Sequence, residues 1–195
     1  MKIAMLVLLV VISYLIGSIP IGFLLARLKG IDIRKQGSGN IGATNVWRNM
    51  GLLSGLLVLV LDALKGIVCV LLGRMFVGGD AQLLTAMAAL VGHSWPVFLR
   101  FKGGKIIATT LGVFLTLDPL VTVLAVLVWF VVVVLFRIVS CGSILATISL
   151  PVFMLIFSRS WENVVFSLIV AGIAIFKHLP NIKRLLSGTE TKIGR

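Results

Sequence analysis

The chain has 195 residues, of which 59% are hydrophobic and 12% are charged, and its mean hydropathy is +1.18. Soluble globular proteins carry about 25% charged residues, so this composition excludes that class and indicates a polytopic membrane protein. The net charge is +12. Because most cations flank apolar segments and form no separate basic domain, membrane topology and anionic ligands explain the charge better than nucleic acid does.

Apolar segments of about 20 residues, the length that crosses a bilayer, predict seven transmembrane helices in one all-α integral-membrane domain, 1–195. They cover residues 3–26, 52–76, 81–98, 105–117, 119–136, 141–158 and 162–176. The first segment begins after Lys2 but runs past the length of a signal peptide, and further spans follow it. We therefore expect it to be retained as a helix.

Two of these helices contain features that are unusual in a lipid-facing segment. The first carries Gly17-Ser18-Ile19-Pro20-Ile21-Gly22, which suits either close helix packing or a kink. The second carries Asp62 and Lys65, three residues apart and so on one face. A charge at the bilayer centre costs about 2.5–3.5 kcal/mol, so these two side chains are expected to pair with each other or to reach the polar loop.

The loop between the first two helices is the most polar stretch of the chain. Residues 37–45 read GSGNIGATN, with Arg48 following. Glycines let backbone N–H groups approach an anion, so the stretch predicts a phosphate-binding loop. Residues 37–42 match G-x-G-x-x-G, but they follow a transmembrane helix and not a strand, which argues against dinucleotide binding.

Two further polar segments follow later in the chain. Lys102-Gly103-Gly104-Lys105 places a glycine turn between two lysines at the start of a helix, which predicts a second anion site. It comes shortly after His93 and the aromatic side chains of a membrane interface. The tail, 177–192, is again basic and contains His178. No histidine is followed by the His-x4-Asp pattern of common membrane acyltransferases, and no Walker sequence is present.

The distribution of cations predicts the topology. The segments at 27–51, 100–105, 137 and from 177 onward hold five, three, one and five Lys or Arg residues, against three on the opposite face. The positive-inside rule then places the N-terminus outside and the C-terminus in the cytoplasm. All three polar segments lie on the cytoplasmic face in this topology. We interpret Arg100, Lys102, Lys183 and Lys192 as solvated cations that face lipid headgroups.

Neither a metal nor a cofactor is predicted. Cys69 and Cys141 lie in or beside apolar runs without metal-ligand spacing, and we interpret them as small core residues. Only Asp32 and Glu190, at the margins, bring carboxylates to the polar segments, which disfavours a carboxylate-held divalent ion.

Taken together, these residues resemble the bacterial acyl-phosphate:glycerol-3-phosphate acyltransferase family over essentially the whole chain. The resemblance rests on Gly17 to Pro20, Gly37 to Asn45, Gly92-His93 with Pro96, Phe98 and Phe101, Lys102 to Lys105, and His178 with Asn181, Arg184, Gly188 and Glu190. The family usually has glycine and valine after the second lysine, where this chain has Ile106-Ile107.

The resemblance implies a multi-pass enzyme of the bacterial inner membrane with its active site facing the cytoplasm. It implies transfer of a fatty acyl group from acyl phosphate to the 1-hydroxyl of sn-glycerol 3-phosphate, giving 1-acylglycerol 3-phosphate and phosphate. Acyl phosphate would come from a soluble phosphate acyltransferase, the functional partner. This is the first acylation of phospholipid biosynthesis in bacteria.

On this basis we expect the following roles. The backbone amides of Gly37 to Gly42, Gly39 included, with the side chains of Ser38, Asn40 and Thr44, bind acyl phosphate, and Lys105 of the Gly103-Gly104 turn neutralises the departing phosphate. Asn45, Arg48, His178, Asn181 and Arg184 hold glycerol 3-phosphate. The proton acceptor is His178, His93 or a substrate phosphate; His178 alternatively orients the substrate, and His93 alternatively caps a helix. The acyl chain lies between helices, beside the small-residue face of the first helix.

Two alternatives stay open at this point. A transporter or channel for an organic phosphate could bind the same anion without chemistry, although the polar residues crowd one face and no inverted repeat is evident. An acyltransferase that uses acyl-CoA would keep the acceptor and change the donor.

Overall fold

The computed structural model describes residues 2–79 and 81–193. Within them 79% of the chain is helical and no strand occurs. The helices are Lys2–Ser18 (α1), Ile21–Leu28 (α2), Ala43–Met50 (α3), Leu52–Phe76 (α4), Ala81–Ser94 (α5), Ile107–Leu117 (α6), Pro119–Phe136 (α7), Val139–Ile156 (α8), Trp161–Lys177 (α9) and Leu179–Leu186 (α10), with 3-10 turns at Ile33–Lys35 and Val97–Leu99. The prediction of an all-α protein is confirmed.

Five helical segments of the described chain are long and apolar enough to cross a membrane. They are Lys2–Leu28, Leu52–Phe76, Ala81–Leu99, Pro119–Phe136 and Val139–Ile156, and the pair α9 and α10, bent by 60°, adds a sixth if it is counted as one span. At 11 residues, α6 is about 16 Å long, short of a hydrocarbon core of about 30 Å. The multi-pass prediction is confirmed, while length and composition give five or six spans where the sequence predicted seven.

The first predicted helix is broken in the structure. α1 ends at Ser18 and α2 begins at Ile21, with Pro20 between them. Proline has no N–H group to donate to the preceding turn, so it separates the two helices. The small-residue patch thus interrupts the helix, and it also packs closely, because a Cβ on Gly17 would overlap the Ala89 carbonyl.

The other predicted helix boundaries agree closely with the structure, except at the start of the helix that follows Lys102 to Lys105. The predicted 119–136 helix coincides with α7. The helix predicted from 105 begins instead at Ile107, because Ile106 has a φ of +61° and cannot continue a right-handed helix.

Two helices, α3 and α10, were not predicted. Each has eight residues and mixes polar with apolar positions. Such segments lack the long apolar run from which a transmembrane helix is predicted. α3 ends at Met50 and is followed by Gly51, whose φ is +85°, and α10 follows directly on His178.

The chain divides into two compact units, Met1–Leu117 and Asp118–Arg195. In the first unit α1 packs on α5, and α4 packs on α5 and α6. Small residues bring these helices together: a Cβ atom on Gly17 would overlap the Ala89 carbonyl, and one on Gly112 would overlap the Ala63 carbonyl. In the second unit α8 packs on both α7 and α9.

Candidate functional site

Residues 37–45, here called loop A, are organised around the side chain of Asn45. Its Nδ2 donates to the carbonyl oxygens of Ile33, Gln36 and Asn40 at 3.3, 3.0 and 2.8 Å, and its Oδ1 accepts from the Ser38 amide at 3.0 Å. Asn45 is only 2% exposed. Both ends of its amide are thus used by the loop backbone, and the structure places Asn45 inside the loop as its support.

Several amides of loop A are hydrogen-bonded within the segment. The Gly42 amide donates to Asn40 Oδ1 at 2.8 Å, and the Gly39 amide donates to the Gln36 carbonyl at 2.9 Å. Together with the Ser38 amide, three predicted anion-binding donors already have partners. The first turn of α3 begins directly after Gly42, where helical N–H groups lack partners within the helix.

Two glycines give loop A its shape. Gly37 and Gly39 have φ values of +53° and +69°, in the left-handed region that other residues seldom adopt. A Cβ on Gly37 would also lie 2.5 Å from Asn45 Oδ1. Ser38, between them, is exposed, as is Arg48 on α3, whereas Thr44 is partly buried. Ser38 and Arg48 are therefore accessible to a ligand.

Charged side chains fix the entry to loop A. Arg34 donates two side-chain hydrogen bonds to the Asp32 carboxylate, both 2.9 Å, and its guanidinium lies 4.6 Å from the centre of the Phe23 ring. The side-chain hydrogen bonds from Arg34, helped by its backbone amide and by the charges of Arg34 and Arg27, hold the pKa of Asp32 below its ordinary value against the effect of burial.

Residues 95–106, here called loop B, fold back on the end of α5. The amides of Gly103 and Gly104 donate to the carbonyls of Ser94 and His93 at 3.2 and 3.0 Å. A Cβ on Gly104 would overlap the His93 imidazole. The glycine turn therefore caps the carbonyl end of α5, and it presents Lys105, partly buried, just before α6.

His93 is an internal residue with polar neighbours. It is 5% exposed, and its Nδ1 lies 3.2 Å from Thr109 Oγ1 and 3.8 Å from Asp62 Oδ1. Asp62 itself pairs with Lys65 at 2.9 Å, which confirms the pairing alternative. A narrow crevice in this unit is lined by the α1–α2 break together with Ile41, the Asp62–Lys65 pair, His93 and Pro96. Ile41 of loop A and Pro96 of loop B thus line the same crevice as the buried ion pair.

In the second unit, Glu190 gathers the polar side chains of the tail. Its Oε1 accepts from Asn181 at 2.6 Å and from Ser140 at 2.7 Å, and its Oε2 accepts from Arg184 Nε at 2.6 Å. Burial raises the pKa of Glu190, but the hydrogen bonds from Asn181, Ser140 and Arg184 outweigh it, so the pKa lies below its ordinary value. Two predicted substrate ligands, Asn181 and Arg184, are thus oriented by this carboxylate.

His178 lies between α9 and α10 and is 3% exposed. Its Nδ1 is 2.8 Å from the carbonyl oxygen of Ala174. A carbonyl only accepts, so the proton is on Nδ1, and in the neutral ring Nε2 carries the lone pair. This is the tautomer that a general base acting through Nε2 requires.

Within residues 2–79 and 81–193, no group of three or more His, Cys, Asp and Glu side chains could hold a metal ion.

Comparison with known proteins identifies the class of enzyme. The model of the glycerol-3-phosphate acyltransferase family matches residues 7–188. The chain belongs to this family. The glycerol-3-phosphate acyltransferases of Desulforamulus reducens and Desulforudis audaxviator are 54% and 52% identical to it, covering 97% and 95% of this chain and 96% and 94% of theirs.

Solved structures agree with this assignment. The glycerol 3-phosphate form of PlsY, described as an integral membrane glycerol 3-phosphate acyltransferase, is 40% identical, with a TM-score of 0.94 and coverage of 97% of this chain and 96% of that one. Its lysophosphatidic acid form gives a TM-score of 0.91 at 40% identity, covering 97% and 95%. The chain is therefore a multi-pass membrane acyltransferase, and the family resemblance is confirmed. The transporter alternative is not favoured.

For this acyltransferase, the sequence predicts most of the polar side chains of the site, but it assigns no orienting role to the carboxylates Asp62 and Glu190. Glu190 was treated as marginal, although it is the sole acidic residue in a tail of five Lys and Arg residues, a signal that could have identified it. The approach of Asp62 to His93 joins positions 31 apart in sequence and leaves no local pattern.

Proposed function

We propose that this chain transfers a fatty acyl group from acyl phosphate to the 1-hydroxyl of sn-glycerol 3-phosphate. The products are 1-acylglycerol 3-phosphate, which is lysophosphatidic acid, and phosphate, and the reaction is the first acylation of bacterial phospholipid biosynthesis. The observation that carries the proposal is the likeness to PlsY structures in glycerol 3-phosphate and lysophosphatidic acid forms. The cationic loops add support, because both proposed substrates are phosphates.

In the proposed reaction, the hydroxyl oxygen of glycerol 3-phosphate attacks the acyl carbon, the bond from that carbon to the phosphate oxygen breaks, and phosphate leaves. The acyl phosphate is already activated, so catalysis rests on positioning, which can supply about 7–11 kcal/mol, and on electrostatic stabilisation. The hydroxyl proton passes to His178 Nε2 or to a substrate phosphate. The Nδ1 hydrogen bond to Ala174 supports the first route.

Each unit supplies part of the proposed machinery of a single acyltransferase domain, 1–195. Ser38 and Arg48, both exposed, and the first turn of α3 bind substrate phosphate in the first unit, and Lys105 neutralises the departing phosphate. His178 and Asn181 act in the second unit, with Arg184 binding glycerol 3-phosphate. Asn45 and the glycines act through loop geometry, as their contacts with the backbone indicate.

We further propose the bacterial inner membrane as location, with the N-terminus outside and the three polar segments at the cytoplasmic face. Seven segments enter the bilayer, of which α6 crosses only part of it. Arg74 at the end of α4 donates to the Thr116 carbonyl at the end of α6, 2.9 Å away, which supports a common face for both ends. A soluble phosphate acyltransferase supplies the donor in this scheme.

The test uses purified protein in lipid with glycerol 3-phosphate and either palmitoyl phosphate or palmitoyl-CoA, following phosphate and lysophosphatidate. We expect product with palmitoyl phosphate alone, and a loss of at least 100-fold in kcat/KM for Ser38→Ala and Lys105→Ala. Matched controls are Ser160→Ala and Lys102→Ala, both at exposed positions, which should stay within twofold of wild type.

Formation of product from palmitoyl-CoA would show that acyl-CoA serves as the donor, and the proposal of acyl phosphate would have to be replaced. Wild-type activity of both Ser38→Ala and Lys105→Ala would contradict the assignment of loops A and B to the active site.

A further inference from the structure

Asp62 and Lys65 lie in the middle of α4, and the reaction scheme does not use them. Lys65 Nζ is 2.9 Å from Asp62 Oδ1, and their side chains are only 6% and 3% exposed. Buried ion pairs can often be replaced by apolar side chains of similar volume without loss of stability. Stability alone therefore gives no reason for two charges at this depth.

Lys65 reaches out of its own helix to the break in the first span. Its Nζ donates to the carbonyls of Gly17 and Ile19 at 2.9 and 3.1 Å. The last carbonyls of a helix lack intrahelical donors, and a cation is favourable at that end. The Asp62 carboxylate, 2.9 Å away, adds an ion-pair partner to these two hydrogen bonds. Lys65 thus holds the open end of α1 where the chain turns into α2.

Asp62 also lies near His93, the residue on which Gly104 of loop B packs. Its Oδ1 is 3.8 Å from Nδ1 of His93, and His93 packs directly against Gly104. The Gly104 amide in turn donates to the His93 carbonyl at 3.0 Å. The Asp62 carboxylate therefore lies next to His93, and the turn that carries Lys105 packs on that histidine.

The α1–α2 break is also in contact with loop A. A Cβ on Gly22, in the first turn of α2, would overlap the Ile41 carbonyl, so the two backbones touch there. Gly22, Ile41, Lys65 and His93 line one crevice. The Asp62–Lys65 ion pair is consequently close to the helix break that contacts loop A and to the histidine that contacts loop B.

We infer that Asp62 and Lys65 are positioning residues for acyl transfer. Lys65 fixes the break on which loop A rests, and Asp62 fixes the His93 turn that presents Lys105. The inference rests on the proposed function, in which these two loops handle the substrate phosphates.

The decisive variant is the double substitution Asp62→Leu with Lys65→Met. It leaves no unpaired charge, so we expect a folded protein with a Tm close to that of wild type. Its kcat/KM should nevertheless fall at least 30-fold, mostly in kcat, because the Gly17 and Ile19 carbonyls lose their donor and His93 loses the carboxylate beside it, although it keeps Thr109. A folded double variant within threefold of wild type would overturn the inference.

The matched control breaks another ion pair. Arg159 donates to Asp118 Oδ2 at 2.6 Å, and neither residue belongs to the proposed machinery. Asp118→Asn with Arg159→Met keeps an acceptor for the Val121 amide, which Asp118 holds at 3.2 Å, and should stay within twofold of wild-type kcat/KM. A loss equal to that of the Asp62 and Lys65 double variant would make the effect general to ion pairs and overturn the inference.

Hydrogen exchange tests the same inference without any substrate. In the double variant, amides of residues 15–24 and 93–107 should exchange at least tenfold faster, while those of 139–156, in α8, stay unchanged. Unchanged exchange in both segments would overturn the inference.

Should the double variant not fold, Lys65→Arg replaces it. Arginine keeps the charge but not the compact ammonium, so we expect faster exchange in 15–24 and a 5- to 20-fold lower kcat. Wild-type kcat and exchange would overturn the inference. If wild type uses palmitoyl-CoA instead of palmitoyl phosphate, the donor proposal fails, and the variants are compared with that donor.

Discussion

Single side chains that bind the backbone or one another set the geometry of this acyltransferase. Asn45 holds loop A and Glu190 holds the tail, and each does so through hydrogen bonds to groups distant by 5 to 50 positions in sequence. Sequence reasoning identified Asn45 as polar and important, but assigned it to substrate. The type of residue was predictable, whereas its partner was not, because partners depend on tertiary contacts.

Glu190→Gln is expected to lower the free energy of unfolding by about 1–2 kcal/mol at neutral pH, because hydrogen bonds to a charged acceptor become weaker neutral ones. A carboxyl whose folded pKa is lowered stabilises the protein above its unfolded pKa, and this stabilisation is lost as pH falls through the folded value. Tm measured from pH 7 down to pH 3 should therefore fall less in the variant than in wild type.

Glu162→Gln, at an exposed position in the first turn of α9, is the control for that titration and should follow the wild-type curve. Parallel curves for wild type and Glu190→Gln would contradict the role assigned to Glu190.

Gly104→Ala tests the contact between loop B and His93. The added methyl group would overlap the imidazole, so the turn must open, and we expect kcat/KM to fall more than tenfold in the acyl-transfer assay. Gly172→Ala is the matched control, because no atom lies within 4 Å of its Cβ position and alanine favours the helix by up to about 1 kcal/mol. Equal activities of the two variants would show that the contact is unimportant.

At the scale of elements, long apolar runs were predictable and the interruptions between them were less so. α7 was predicted to the residue because Asp118 caps its first turn and an uninterrupted apolar run follows. The late start of the predicted 105–117 helix, at Ile107, was not predictable, since a left-handed isoleucine has no sequence signature. The helices α3 and α10 were not predicted because their polar residues break the apolar run that defines a span.

Two non-glycine residues with positive φ at helix ends allow a direct comparison. Ile106 has φ +61° and is fully buried at the start of α6, whereas Arg137 has φ +59° and is exposed at the end of α7. Glycine relieves left-handed strain of about 1–2 kcal/mol at either position. Removing the buried isoleucine side chain costs about 2–5 kcal/mol, which exceeds that gain.

We therefore expect Ile106→Gly to lower Tm and Arg137→Gly to raise it, as measured by thermal unfolding in detergent. A rise in Tm for Ile106→Gly would mean that strain, and not packing, dominates at the start of α6.

At the scale of the whole molecule, composition alone established the membrane class, and the number of complete spans could not be read from hydropathy. A short helix such as α6 has the hydropathy of a span without its length. Cation counts supply an orientation, which the proposed function adopts.

Cysteine labelling tests that orientation. In a background without Cys69 and Cys141, Ser160→Cys is expected to react with a membrane-impermeant maleimide only from the periplasmic side. Ser187→Cys is expected to react only from the cytoplasmic side. Both positions are exposed in their unit. Labelling of both from the same side would overturn the proposed topology.

The contacts of Gly17 with Ala89 and of Gly112 with Ala63 join backbone to backbone. Backbone atoms have no alternative rotamers. Repacking therefore cannot accommodate a change of volume at these contacts, whereas it can in a core made of side chains. Substitutions that test the proposed place of the acyl chain beside the first helix should therefore be made at exposed side chains of α1. The glycine seams between α1 and α5 and between α4 and α6 should be left as they are.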